Sequence, residues 1–316
     1  MQPPEEPIRI FGVDVTSRPS RRKPMTCAEC YLDGDVLALR RLRAWPDFAG
    51  LEALLRSEGP WLMALDVPFG QPRELVAGLG WPAAWPGYVA ATGALSRAGW
   101  VARLEAFRGA RPPGRKEPKR AADRAARCVS AMKVGGIPAV GLMYYEVAPR
   151  LLAAPVSLLP VRPLAAGVGA ERIAIEGYPA LVKRRWLGGL PYKEGNPRHA
   201  RDQRLRMAHR RRLVRALAGA EAAAYYGFAT VVPGLRLRGA LARDPSGDAL
   251  DALLCAVQGA WAWRRRGRGF GMPPLAPRDE GWIVDPATLA AAAVEPRRLA
   301  AEAGGAMAGA AVAAGD

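Results

Sequence analysis

The chain has 316 residues, half of them hydrophobic, with 46 Lys and Arg against 29 Asp and Glu for a formal net charge of +17. This is globular composition, enough for one large domain or one domain carrying a sizeable insertion. No uncharged apolar run reaches the roughly 18 residues of a bilayer span, which excludes a membrane-spanning helix. The opening Met1-Gln2-Pro3-Pro4-Glu5-Glu6 is acidic and polar, unlike a secretory signal, so the expected location is the cytoplasm. There a strongly basic chain attracts polyanions, nucleic acid being the commonest; the plainer reading is a solvated basic surface.

In chain order, Ile8-Arg9-Ile10-Phe11-Gly12-Val13-Asp14-Val15 reads as an apolar strand ending near a carboxylate. Residues 26–32 and 36–43 are two further strand-like runs, joined by Asp33-Gly34-Asp35, a hairpin turn signal. The first of these runs contains Cys27-Ala28-Glu29-Cys30; a strand puts the two thiols on opposite faces, which disfavours chelation, and Cys128 and Cys255 are isolated. Pro46 opens a helix through Glu58, with Phe48, Leu51, Leu54 and Leu55 on one face. Trp61-Leu62-Met63-Ala64-Leu65-Asp66-Val67 is a nearly continuous apolar run, as in a parallel strand buried on both faces, and Pro68-Phe69-Gly70 stops it. Three antiparallel strands, a helical crossover and a parallel fourth strand open an RNase H-like sheet. A doubly wound nucleotide-binding domain would alternate strand and helix from the start.

Residues 71–163 read as a mainly helical insertion, anchored by Trp81, Trp85 and Trp100, with residues 108–120 as an exposed basic loop. Arg172-Ile173-Ala174-Ile175-Glu176 is the fifth strand and again ends in a carboxylate. Residues 197–218 form a long basic helix, residues 246–263 another helix, and Gly281-Trp282-Ile283-Val284 a late short strand. The expected architecture is α/β, an RNase H-like mixed five-stranded sheet of three antiparallel strands then parallel strands, flanked by helices. It forms a single domain over residues 1–302, and the Ala/Gly-rich stretch 303–316 is expected to be a disordered tail.

Carboxylates carry the chemistry. Asp14 and Asp66 end strands that are adjacent and parallel in such a sheet, so the two meet at one edge. Asp248 and Asp251 share one face of a helix that Leu250, Leu253 and Leu254 pack on the sheet, and Glu176 ends the fifth strand. Crowded carboxylates repel unless protons or cations neutralise them. All-oxygen ligation suits Mg2+ or Mn2+, and two such ions would activate a water and stabilise the leaving oxygen of a phosphodiester. Singly, Asp14 reads as a turn cap and Asp248 as a helix N-terminal charge. Asp66, just before Pro68, is hardest to read as structural.

Five blocks occur in order over roughly residues 8–286: Gly12-Val13-Asp14, Leu65-Asp66-Val67-Pro68-Phe69-Gly70, Ile175-Glu176-Gly177-Tyr178-Pro179, Gly247-Asp248-Ala249-Leu250-Asp251-Ala252 and Glu280-Gly281-Trp282-Ile283-Val284. Together they resemble the predicted nucleases of domain-of-unknown-function family 429. The paired-aspartate helix is also similar to the final acidic helix of Holliday-junction resolvases of the same fold. The resemblance implies an RNase H-like fold and a metal-dependent nuclease, a hydrolase. Asp14, Asp66, Asp248 and Asp251 would be its metal ligands, and Glu176 a further ligand or water-orienting group. Two positions depart from the family pattern: Gly247 stands where the first of two adjacent acids is often found, and Thr16-Ser17-Arg18 replaces glycines after Asp14.

Residues 183–215 hold many Lys and Arg and only Glu194 and Asp202 as acids. Lys193, Arg198, Arg201 and Arg204 are candidate phosphate contacts to DNA or RNA, against the plainer reading of a solvated helix face. Tyr192-Lys193-Glu194-Gly195 is similar to the family's lysine-glycine segment. Arg264-Arg265-Arg266 beside Trp261 and Trp263 is a candidate stacking surface for exposed bases, unless those tryptophans are core. His199 lies in the basic segment where it could assist proton transfer, and His209 is expected on the helix surface. Two competing readings are a non-catalytic nucleic-acid-binding protein of the same fold and an actin-like phosphotransferase. Gly12-Val13-Asp14-Val15-Thr16-Ser17 is superficially similar to the phosphotransferases' first phosphate loop, but the sequence has no second Gly-rich phosphate turn.

Overall fold

A computed structural model describes residues 6–164, 171–193 and 199–294. Strands β1 (Ile8–Asp14), β2 (Met25–Asp33) and β3 (Val36–Trp45) run antiparallel in sequence, with Gly34 at φ +53° turning the second hairpin. Helix α1 (Ala49–Arg56) crosses to β4 (Trp61–Asp66), which pairs parallel to β1. Helices α2 (Arg73–Gly78), α3 (Trp85–Gly93), α4 (Arg97–Gly109), α5 (Ala121–Ala125) and α6 (Val140–Ala153) form the insertion. Then come β5 (Ser157–Leu159), β6 (Arg172–Glu176), α7 (Pro179–Leu187), α8 (Ala200–Leu217), α9 (Ala220–Tyr226) and β7 (Ala229–Val231). The described chain closes with α10 (Gly234–Arg243), α11 (Asp248–Arg264) and α12 (Pro286–Val294). No described helix is long and apolar enough to cross a membrane.

The sheet has seven strands in the order β5-β6-β4-β1-β2-β3-β7, and β2 alone runs against its neighbours. The expected five strands are therefore corrected to seven. The two additions, β5 and β7, are three residues each and lie at the sheet edges, too short to show a two-residue hydrophobic period. β5 falls inside the stretch read as insertion. Gly281-Trp282-Ile283-Val284 makes a single bridge from Ile283 to Glu176 rather than a strand. The tail at 303–316 lies outside the described residues.

Alternation along the strands decides what each face carries. Ile8, Ile10, Leu62, Ala64, Ile173 and Ile175 belong to the core shared with α11, while Phe11, Val13, Met63, Leu65 and Ala174 belong to the core shared with α1 and the insertion. Cys30 joins the first core and Cys27 the second, so the thiols do lie on opposite faces. In the insertion Trp85 and Trp100 are buried, with Trp81 stacked on Trp100.

Helix α11 lies almost wholly buried against β1, β2 and β4. Its approach to β1 is the tightest packing feature of the fold. A Cβ added at Gly12 would stand 1.9 Å from the Ala252 carbonyl oxygen and 2.3 Å from the Ala256 nitrogen. These are backbone atoms inside a regular helix and cannot swing aside. Gly12→Ala should therefore cost about 3 kcal/mol in urea denaturation. Gly189→Ala, where a Cβ meets nothing within 4 Å, should stay within about 0.5 kcal/mol of the parent.

Candidate functional site

Parallel pairing of β1 and β4 sets Asp14 opposite Asp66. Both side chains continue the face that carries Ile10 and Leu62, the face covered by α11. Tight packing at Gly12 lays the first turn of α11 over this edge, bringing Asp248 and Asp251 to the same place. Two ties fix that turn. Thr26, paired with Asp14 across β1 and β2, donates from Oγ1 to the Asp248 carbonyl at 2.7 Å. Asp244 accepts from the Ser246 and Ala249 amides at 3.0 and 2.9 Å, occupying amides that open the helix. The carboxylates of Asp248 and Asp251 are thus left to face the strand ends.

Three of the four acids are buried, Asp14 8% exposed, Asp248 9% and Asp251 2%, and Asp66 is half-buried. Burial, reinforced by Asp251, Asp248 and Asp66, raises the Asp14 carboxyl well above the usual carboxylate range, with Lys193 pulling the other way. Asp66 is pushed up to about 7, by burial first and then by Asp251. Burial also raises Asp251, against Lys193 and Tyr192.

Lys193 supplies the counter-charge. Its Nζ pairs with an Asp251 carboxylate oxygen and lies 3.4 Å from Asp248 Oδ1. Despite the cost of desolvating an ammonium, the surrounding Asp251, Asp14 and Asp248 raise its pKa above the ordinary lysine value. The Tyr192 hydroxyl donates to the other Asp251 oxygen. The backbone of this segment is held from α8: Arg206 donates to the Lys193 carbonyl at 2.6 Å, Arg210 to the Tyr192 carbonyl at 2.5 Å, and His209 Nδ1 to the Pro191 carbonyl at 2.6 Å. His209 is consequently buried, which corrects its expected surface position. Gly247 leaves room for the arrangement, since a Cβ there would meet Tyr192 and Lys193 side-chain carbons at 3.1 Å and its φ is +74°.

Glu176 stands apart. It pairs across the sheet with Leu65, one residue out of phase with Asp66, and so points to the insertion face. There it meets Arg120, whose guanidinium donates to both Glu176 oxygens at 2.5 and 2.9 Å and to Asp123 at 2.8 Å. Phe69 N donates to Glu176 as well, at 3.0 Å. Arg120 is 1% exposed, so the expected exposed basic loop over 108–120 is corrected at this end. Asp123 is a local partner three residues on, but Glu176 is an acid that only tertiary packing brings to Arg120.

Arg201 and Arg204 are exposed on α8, His199 is exposed at its start, and Arg198 lies outside the described residues. Trp261 is buried and Trp263 packs partly buried against the core, so both are core residues rather than an open stacking surface. The functional residues the sequence does not single out are Thr26, Arg120, Asp123, Arg206 and Arg210, and Tyr192 figures only within the Tyr192-Lys193-Glu194-Gly195 block. The i,i+3 pair Arg120–Asp123 and the i,i+4 pair Asp202–Arg206 carry a helical spacing, but nothing in it points to the site.

The donors are all carboxylate oxygens, which is the chemistry of a hard divalent cation, and the Lys193 ammonium stands in as the cation among them. Among the described residues no group of three or more His, Cys, Asp or Glu is arranged to hold a metal ion. The donor chemistry alone matches a divalent ion; the arrangement does not hold one while Lys193, whose side chain is 44% exposed, occupies the site.

Asp66 has a folded pKa above its unfolded value. The native state therefore holds the extra proton, and the ionised carboxylate destabilises the fold as pH rises from about 4 to about 7. In chelator, Asp66→Asn should gain stability over the parent progressively through that window and level off above it. The plateau should be on the order of 2 kcal/mol, read from urea titrations at a series of pH values. A difference that stays flat with pH would contradict it.

Comparison with protein-family models, with curated proteins and with solved structures returns no match, so the reading of this site rests on its own residues.

Proposed function

We propose that this chain is a divalent-metal-dependent nuclease with an RNase H-like fold, related to domain-of-unknown-function family 429 and hydrolysing phosphodiesters of DNA or RNA in the cytoplasm. The observation that carries the reading is the convergence of Asp14, Asp66, Asp248 and Asp251 from β1, β4 and α11 at one sheet edge, with a lone ammonium between two of them. The strand order β3-β2-β1-β4-β6, with β2 reversed, supports the fold assignment. The net charge and the exposed Arg201 and Arg204 support a polyanionic substrate. Cys27, Cys30, Cys128 and Cys255 are all free thiols, in keeping with a reducing compartment.

In this reading Asp14, Asp66, Asp248 and Asp251 bind Mg2+ or Mn2+, which when bound supplies Lewis acidity toward the phosphodiester. Tyr192 orients Asp251 through its hydroxyl, and Thr26 fixes the backbone that presents Asp248. Lys193 holds the cation position beside Asp248 and Asp251 and would have to withdraw for these acids to hold a divalent ion. Glu176, engaged by Arg120 and Phe69, shapes the neighbouring wall instead of ligating. Arg201 and Arg204, with the candidate Arg198, draw the nucleic-acid backbone toward the edge.

A second reading has one observation in its favour: Lys193 already neutralises the acids. In a non-catalytic nucleic-acid-binding protein of this fold it would be a permanent internal cation. The two readings differ in what removal of the ammonium does. For a nuclease, Lys193→Ala should tighten Mn2+ binding by about tenfold, a change of about 1.4 kcal/mol, in titration calorimetry, because the competing charge is gone. For a permanent cation the same variant should lose stability and gain no Mn2+ affinity. In a cleavage screen over labelled DNA and RNA with Mg2+ or Mn2+, Asp66→Asn should lower the rate by at least about a hundredfold while leaving nucleic-acid affinity nearly unchanged. Cleavage at the parental rate by that variant would remove the mechanism.

A further inference from the structure

A cavity of about 160 Å³ opens over the C-terminal ends of β4 and β6. This is the edge where sheets with parallel strands present ligand sites. Asp66 lines one side of it, so the cavity and the carboxylate cluster share a residue. The remaining walls are largely apolar, among them Val67, Val129, Val140, Met143 and the ring of Tyr178.

The charged groups at its floor are turned inward on one another. Arg120 is committed to Glu176, Asp123 and the Glu280 carbonyl, and Asp123 accepts from the Arg120 and Ala131 amides as well. Such a floor, one guanidinium shared by two carboxylates, offers no free cation to an anionic ligand. Burying an ion against these walls would be costly, and burying a neutral flat ring would be favourable. The volume is close to that of a cavity of about 150 Å³ known to take one benzene ring. The site as a whole thus fits a ligand with one neutral ring joined to an anionic group that a cation held by Asp14 and Asp66 would bind.

We propose that this cavity receives a single unpaired pyrimidine of a nucleic-acid strand whose phosphate lies at the carboxylate cluster. The proposal rests on the nucleic-acid part of the function read above, and it names the substrate class for that site: strands with an unpaired pyrimidine beside the phosphate. A two-ring purine is longer than the single ring that a cavity of this volume is known to take. Apolar walls and the Tyr178 ring supply stacking and burial without reading individual base edges.

The test uses the full chain with Ca2+ in place of Mg2+ or Mn2+, so that a hard cation neutralises the carboxylates while binding is measured without the catalytic ion. Fluorescence anisotropy would compare labelled strands of equal length made of thymidine, of deoxyadenosine and of abasic units. The thymidine strand should bind about tenfold more tightly than the abasic one, with the deoxyadenosine strand close to the abasic. Val129 lies at the rim and is 38% exposed, so Val129→Trp can fill the mouth without disturbing the core. That variant should bring thymidine binding down to the abasic level and leave abasic binding unchanged. Val129→Glu, which sets an anion at the mouth and weakens all strands alike through their phosphates, should likewise leave thymidine binding level with abasic binding and guards against misfolding of the first variant.

Equal affinity for thymidine and abasic strands would overturn the proposal. So would a thymidine preference that survives both substitutions, or deoxyadenosine binding at least as tight as thymidine. Failure of the pocket and failure of the nuclease reading remain separable. A thymidine preference without cleavage under Mg2+ or Mn2+ leaves the pocket standing and removes the catalysis. Cleavage without any base dependence does the reverse.

Discussion

Contact between the backbones of β1 and α11 fixes the geometry on which the rest of the molecule depends. Gly12 has no side chain, and the carbonyl of Ala252 and the amide of Ala256 occupy the space one would need. The helix therefore lies directly on the strand, and its first turn falls over the strand's last residue. Because side chains alternate along a strand, Gly12 and Asp14 share a face. One small residue thus sets both the closeness of the helix and the meeting of its acids with the acids of the sheet. Thr26, bonded to the Asp248 carbonyl, secures the same turn from β2.

Bringing those acids together has an electrostatic cost, and the chain meets it with a cation held from behind. Lys193 reaches Asp248 and Asp251, while Arg206, Arg210 and His209 of α8 hold the carbonyls of the segment that presents it. Part of the arginine content therefore works inside the structure. Arg120 bridges Asp123 and Glu176, and Arg162 gathers the carbonyls of Leu151, Leu152, Ala154 and Val156 where the insertion returns to the sheet. A guanidinium suits this task, having five donors in a fixed planar fork. The excess of base in the composition is accordingly shared between internal ties and exposed residues such as Arg201 and Arg204.

The insertion is more than an appendage. Arg120, at the start of α5, binds the carboxylate at the end of β6 and the Glu280 carbonyl, while Arg73 pairs with Asp279. These contacts close the C-terminal segment over the ends of β4 and β6 and leave the apolar cavity between sheet and insertion. Glu176 takes part in this closure because it sits one residue out of phase with Asp66. A carboxylate at the end of a neighbouring strand is not enough to join the cluster; the parity of the register decides which face it serves.

The sequence by itself determined the strands β1 to β4 and β6, the helices α1 and α11, and the meeting of Asp14 with Asp66, Asp248 and Asp251. Local periodicity is a property of short stretches of chain, and the order of elements it reveals was enough to expect the ends of β1 and β4 side by side. Only the tertiary structure decided the rest: the edge strands β5 and β7, too short to carry a period; the turning of Glu176 to the opposite face; and the seating of Lys193 among the acids. It also decided that His209 and Arg120 are buried. Each of these depends on register or on partners far apart in the chain, and a residue's own neighbours in sequence hold no record of either.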